Sequence, residues 1–248
     1  MSSSTWTPDA LSSEARPLAG RCWRAVEAQH HVSTLKIVDS LEEQELIEAL
    51  IEEAKPPVPP ECRHLHYLLS TPFRYGSAYP EGSRFRRAGF TAGVFYAAER
   101  IGTAIAELAF HRLLFFAESP ETPWPSNPAE HTAFAAEYGT GRAIDLTATP
   151  FASAAAAWMH PTDYGPCQAM ADTARAAAVD AIRYTSVRDT GRGANLAILA
   201  CRVFVRPAPV AFQTWRLRFH DGGVLAVCES PRTRLSFARA DFNDPRLA

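Results

Sequence analysis

The spacing of apolar residues along this chain changes several times, and each change predicts an element. Between Ser40 and Lys55 the apolar residues Leu46, Ile47, Leu50 and Ile51 recur at helical spacing, and Ser40 with Glu43 three positions on has the form of a capping box. The following KPPVPP removes backbone donors and forces extended geometry, so the helix is expected to end near Lys55, with a stiff connector to Pro60. The glutamates between Glu42 and Glu53 occupy the opposite face and predict a solvated side on a framework helix. Residues 64–77, HLHYLLSTPFRYGS, predict an extended element entering an arginine-bearing turn.

A β-type run from Gly93 to Ala98 turns directly into a helix over about 99–116, whose Ile101, Ile105, Leu108 and Phe115 fall on one face. Prolines at 120, 123, 125 and 128 predict a surface loop over 119–131. Residues 132–158 predict a short helix, a strand around Arg142–Leu146 and an Ala-rich segment, and a further Ala-rich helix is expected from about Cys167 to Ile182. YTSVR at 184–188 is expected as a strand end, DTGRG as a turn and ANLAILACRVFV as a buried strand. VAFQTWRLRFH and VLAVCES flank Asp221-Gly222-Gly223, a hairpin signal, and RTRLSFARADF adds an edge strand. Trp23 and Arg24 begin the first strand.

No repeat or second hydrophobic pattern divides the chain. The expected fold is α+β, one domain with a mixed or antiparallel sheet and flanking helices. Residues 1–20 are expected as a flexible tail and 21–248 as the domain, divided into an N-terminal extension (21–71), a motif-bearing core (72–205) and C-terminal strands (206–248). The extension either covers the core or forms a homodimer surface.

Composition narrows the function classes. A chain of 248 residues, 47% hydrophobic and 21% charged, buries a sizeable core, and a net charge of −2 lacks the basic excess that nucleic-acid binding demands. There is no apolar run long enough to span a membrane and no basic-then-apolar leader, so a cytoplasmic location is expected. Five widely spaced cysteines without a Cys-x-x-Cys are expected to be reduced, buried or inert thiols, and the histidines show no metal-ligand spacing, so no metal is expected.

Candidate chemistry concentrates between residues 72 and 116. Arg74, Tyr75, Gly76, Arg84, Arg86 and Tyr96 share this stretch with four further glycines and are followed by Glu107. Four arginines within fourteen positions, several beside glycine, suit an anion cradle, because guanidinium forks bind phosphate oxygens in pairs and glycine admits close backbone approach. The plain alternative is a set of surface ion pairs. Taken alone, Glu107 is a rim carboxylate beside His111, and Ser186 is a turn serine satisfying backbone groups.

Four pieces give these residues a context: PFRYG (72–76), GSRFR (82–86), GVFYAAE with AIAE (93–107) and YTSVRDTGRGANLAIL (184–199), with a prelude in RCWRAVE (21–27). In order and spacing they resemble the RES domain, the toxin of bacterial toxin–antitoxin pairs. The resemblance makes Arg84 the central arginine, with Arg86 competing because the interval to Tyr96 is longer than in many members. It makes Tyr96, Glu107 and Ser186 the other catalytic residues. Arg74, Tyr75, Gly76, Arg86 and Asn195 become substrate-binding residues, and Arg87 stays solvated. It further implies an ADP-ribosyltransferase-like core and an NAD glycohydrolase or phosphorylase that breaks the nicotinamide–ribose bond, with water or phosphate as acceptor. NAD is then substrate and no cofactor is permanently bound. The implied partner is an antitoxin of helix-turn-helix type. The alternatives are an ADP-ribosyltransferase acting on a macromolecule and a catalytically silent binding module.

Overall fold

The 17-residue strand β3 (Ala129–Asp145) organises the sheet, because three other strands pair along different parts of it. The structure, a computed structural model, describes residues 6–27, 37–77, 79–89 and 91–247. Strand β1 (Arg16–Glu27) runs antiparallel to β3 from Arg16↔Ala143 to Glu27↔His131. The last residues of β3 pair in parallel with β4 (Ala181–Thr185), and its first half pairs with β6 (Ala211–His220). With β2 (Phe95–Ala98), β5 (Ala194–Ile198), β7 (Gly223–Cys228) and β8 (Thr233–Ala238), the order is β1-β2-β5-β4-β3-β6-β7-β8. Since β1 bonds to both β2 and β3, the first five strands of that order close on themselves. The mixed sheet and flanking helices agree with the expected α+β class.

Among the described residues, three cores follow from this topology. Cys22, Phe95, Phe134, Leu196 and Ile198 share the core associated with the closed strands. On another face α1 (Pro8–Glu14) and α6 (Gly165–Ala176) pack with the four-residue α5 (Ala155–Trp158), burying Leu11, Phe85, Trp158, Met170 and Ile182. The third core lies under α4 (Ile101–Glu118), where Ile105, Phe110 and Leu113 meet Trp215, Leu217 and Phe242.

Several expectations are corrected. Residues 8–20 are no loose tail: Thr7 caps α1, Leu11 is fully buried and β1 begins at Arg16, well before Trp23. Residues 1–5 of that tail and 28–36 of the extension lie outside the described residues. The segment expected to be extended at 64–77 contains α3 (Tyr67–Arg74), started by His66, whose Nδ1 accepts from Leu68 N, and anchored by buried Leu68 and Leu69. The short helix expected after residue 132 is instead part of β3, because pairing on both edges overrides the helix preference of its alanines and glutamate. The Ala-rich helix α6 stops at Ala176, and Ile182 belongs to β4. On α4, Phe115 is exposed and does not share the buried face.

The helix α2 (Leu41–Ala54) has the predicted Ser40 cap and ends before Lys55, yet it is no packed framework element. It buries no residue; Leu46 is 60% exposed, and a polar tie from Arg74 to Glu52 and Pro56 O holds its end. The cysteine reading also changes. Two 3₁₀ turns, Pro60–Cys62 and Cys201–Val203, bring Cys62 and Cys201 together as a disulfide with Cα atoms 5.8 Å apart. Cys22, Cys167 and Cys228 remain free and buried, and burial pushes the Cys22 thiol up to about 12, which keeps it unreactive.

Candidate active site

Arg84 sits at the tip of a tight turn built by the sequence around it. Ser83 and Arg86 exchange backbone hydrogen bonds at 2.7 and 3.0 Å, leaving Arg84 and Phe85 as the two central residues. Gly82 enters this turn at φ 71°, where a Cβ would lie 2.2 Å from Arg86 O, so only glycine fits. Buried Gln168 donates from α6 to the carbonyls of Glu81, Ser83 and Arg86 and pins the turn to the body. The Tyr96 hydroxyl accepts from Phe85 N at 2.9 Å and shares a hydrogen bond with Ser83 Oγ at 2.8 Å. Burial pushes the Tyr96 phenol up to about 12. The Arg84 guanidinium, buried, donates to Trp158 O at 2.8 Å and lies 4.9 Å from the centre of the Tyr164 ring.

Glu107 forms the second half of the site. Its Oε1 accepts from Ser186 Oγ at 2.7 Å and from Asn195 Nδ2 at 2.6 Å. Ser186 directly follows β4, and Asn195 lies on β5 opposite Tyr184, so the sheet edge presents both donors to the half-exposed carboxylate on α4. Oε2 has no protein donor among the described residues. Ser186 Oγ in turn accepts from the amides of Arg188 and Asp189, which fixes its single proton on Glu107. The loop between β4 and β5 is seated on α4 through Thr103, which donates to Asp189 at 2.7 Å, and a Cβ at Gly193 would lie 2.1 Å from Thr103 Oγ1. Asn195 Oδ1 is buried and unpartnered.

Tyr184 joins the halves. Its ring packs on Phe85 at 4.7 Å, and burial raises its phenol well above the ordinary value, Glu107 and Tyr96 adding to the shift while Arg84 opposes it. Beyond Glu107 stand His111, Arg188 and Arg246. His111 is exposed on α4; desolvation lowers its pKa while Glu107 acts the other way. Arg188 and Arg246 both pair with Asp244, and together with Arg84 and Glu107 they act electrostatically on His111.

Other residues singled out in the sequence are engaged elsewhere. Arg86 donates to Thr91 O and to Tyr75 O, bracing the loop that carries Arg84. Arg74 pairs with Glu52 on α2; Tyr75 and Gly76 are exposed beside it. Arg87 pairs at the surface with Asp172. Residues not foreseen include Trp158, Tyr164, Tyr184, Arg188, Asp244 and Arg246; only Tyr184 and Arg188 carried a signal, as neighbours of Ser186 in the YTSVR segment. Trp158 also lines a small, largely apolar cavity of about 120 Å³ with Leu146, Met159 and Thr185. Glu107 and Arg84 do not line that cavity, although Arg84 donates to the carbonyl of Trp158, which does.

The RES domain family model matches residues 58–220, well over half the chain. No curated protein matches. Among solved structures, a chain of the M. tuberculosis MbcT-MbcA toxin-antitoxin complex is similar at 13% identity, covering 97% of each chain with a TM-score of 0.46.

Proposed function

The chain belongs to the RES domain family, and we propose that it is a toxin-type enzyme that degrades NAD by breaking the bond between nicotinamide and ribose. The observation that carries this reading is one carboxylate, Glu107, with both Ser186 and Asn195 donating to its Oε1. Across Tyr184 from it lies the buried Arg84 guanidinium, in a glycine-dependent turn.

The chemistry follows from charge. When the glycosidic C–N bond breaks, its electron pair leaves with nicotinamide, which departs neutral, and positive charge moves to the ribose as oxocarbenium character. A fixed carboxylate stabilises that charge and accepts hydrogen bonds from ribose hydroxyls through Oε2. No general acid is needed, so the second carboxylate of ordinary glycosidases is dispensable. Arg84 supplies positive potential for the diphosphate. Tyr96 acts here by holding the Arg84 turn, since its hydroxyl is committed to Ser83 and Phe85 N. Water adding to the ribose and losing a proton yields ADP-ribose; phosphate yields its phosphorylated form. The core is then of the ADP-ribosyltransferase type, and an unrestrained NAD-consuming enzyme requires a neutralising antitoxin.

Incubating the pure protein with NAD, with and without phosphate, tests this. Release of nicotinamide with ADP-ribose or its phosphorylated form supports the reading. A labelled macromolecular acceptor favours ADP-ribosyl transfer, and unchanged NAD leaves only a binding role.

A further inference from the structure

The C-terminal segment after residue 238 lies beyond the family match, yet it reaches the serine turn of the site. Asn243, in the left-handed region at φ 42°, turns the chain inward after Phe242, whose ring packs 5.6 Å from that of Phe110 on α4. The next residue, Asp244, has a fully buried side chain. Its Oδ2 accepts from Arg188 Nη1 at 2.7 Å, and both its oxygens are gripped by Arg246 at 2.9 and 3.0 Å. The Arg188 guanidinium is itself buried, 3.7 Å from the centre of the Phe110 ring, and donates to Pro161 O. Its main-chain amide is one of the two that donate to Ser186 Oγ, and Ser186 Oγ donates a hydrogen bond to Glu107 Oε1.

A continuous set of contacts therefore runs from Asp244 through Arg188 and Ser186 to Glu107. We propose that Asp244 is a positioning residue for the site: by fixing the Arg188 guanidinium it holds the turn whose amides orient Ser186, and thereby fixes Glu107. The same carboxylate also holds Arg246, which is partly exposed and acts electrostatically on His111. The competing account makes Asp244 only the counter-ion that lets Arg188 be buried. That account predicts lost stability but unchanged order at the serine turn in the molecules that remain folded. Only the kinetic half of the test rests on the proposed NAD cleavage.

The test compares the full chain with Asp244→Asn, Asp244→Glu and, as a surface control, Asp221→Asn, which removes an exposed ion pair to Arg239. Two quantities are read: hydrogen-exchange protection of the amides at positions 188 and 189, and steady-state NAD cleavage. Asp244→Asn is expected to lose about tenfold or more of the protection at those amides with β3 and β5 unchanged. It should lower kcat by about 10–100-fold with KM little altered, because a misplacement on the order of 1 Å at a reacting group has that effect. Asp244→Glu recovers part of both losses and Asp221→Asn shows neither. If Asp244→Asn does not fold, the double variant Arg188→Gln with Asp244→Asn removes the buried charges together, and the same amides are read. Wild-type protection at 188 and 189, or wild-type kcat in a folded Asp244→Asn protein, overturns the proposal. If the wild-type protein cleaves no NAD, the proposed function falls, and the exchange measurement alone decides the role of Asp244.

Discussion

Ser186 Oγ donates to Glu107 Oε1 at 2.7 Å while accepting from the amides of Arg188 and Asp189, so one hydroxyl locks the β4–β5 loop to α4 across 79 positions of sequence. A hydroxyl has one proton, and here the two amides occupy its acceptor side and leave that proton no other destination. Glu107 is thus oriented by the sheet edge and not by its own helix.

Ser186→Ala should therefore do two kinds of damage. It strands two amides, one of them buried, at a cost of about 1–3 kcal/mol in stability, and it frees the Glu107 side chain to change rotamer. We expect a lower denaturation midpoint together with a fall in NAD cleavage larger than the folded fraction explains. Equilibrium unfolding paired with active-site kinetics separates the two.

The arginines should divide by location. Arg84→Ala removes the buried guanidinium next to Tyr164 and Trp158 and is expected to weaken NAD binding by tenfold or more, about 1.4 kcal/mol. Arg87→Ala removes an exposed pair and should change little. Arg86→Ala should lower thermal stability, since Arg86 braces the loop through Thr91 and Tyr75. Calorimetric titration of all three variants with NAD checks the ranking; lost binding in Arg86→Ala with full stability would make Arg86 the substrate arginine.

Tyr96 gives a pH signature. Its folded-state pKa, raised by burial from 10.0 to about 12, means the fold favours the neutral phenol. That contribution is fully present below pH 10 and is lost as pH rises through 12. Tyr96→Phe should be less stable than wild type at pH 8, and the gap should narrow between pH 10 and 12. Tyr138 and Cys22 titrate in the same window, so the difference between the two proteins, not either curve alone, carries the information.

Much of the local architecture was legible in the chain. The Ser40 cap, the β2-to-α4 transition and the hairpin at Asp221-Gly222-Gly223 follow from short-range signals, and the observed elements agree with them. Glu107, Ser186 and Asn195, named from motif positions, lie in direct contact. What stayed hidden depends on partners distant in sequence. The β3 segment looks helical in isolation and is a strand because β1 and β6 flank it. Arg74 belongs to the motif, but its guanidinium is paired with Glu52 on α2. Asp244 has no motif at all; it matters through an arginine 56 positions earlier.

The Cys62–Cys201 pair closes a loop of 139 positions. Replacing both residues by alanine should cost about 2–4 kcal/mol, because a crosslink of that span restricts the unfolded chain. Alkylation of the denatured, unreduced protein should label Cys22, Cys167 and Cys228 and spare Cys62 and Cys201; labelling of all five would show a reduced pair.

The central claim is that one carboxylate performs the reaction, and Glu107→Gln addresses it directly. The amide keeps an oxygen to accept from Ser186 and Asn195, so the fold should hold, while the charge that stabilises the oxocarbenium-like ribose is gone. Loss of such an electrostatic contribution is worth about 10²–10³ in kcat. Nicotinamide release from NAD, measured on wild-type and Glu107→Gln proteins of matched stability, should fall by at least that factor in the variant. Turnover near the wild-type rate in folded Glu107→Gln would contradict the account.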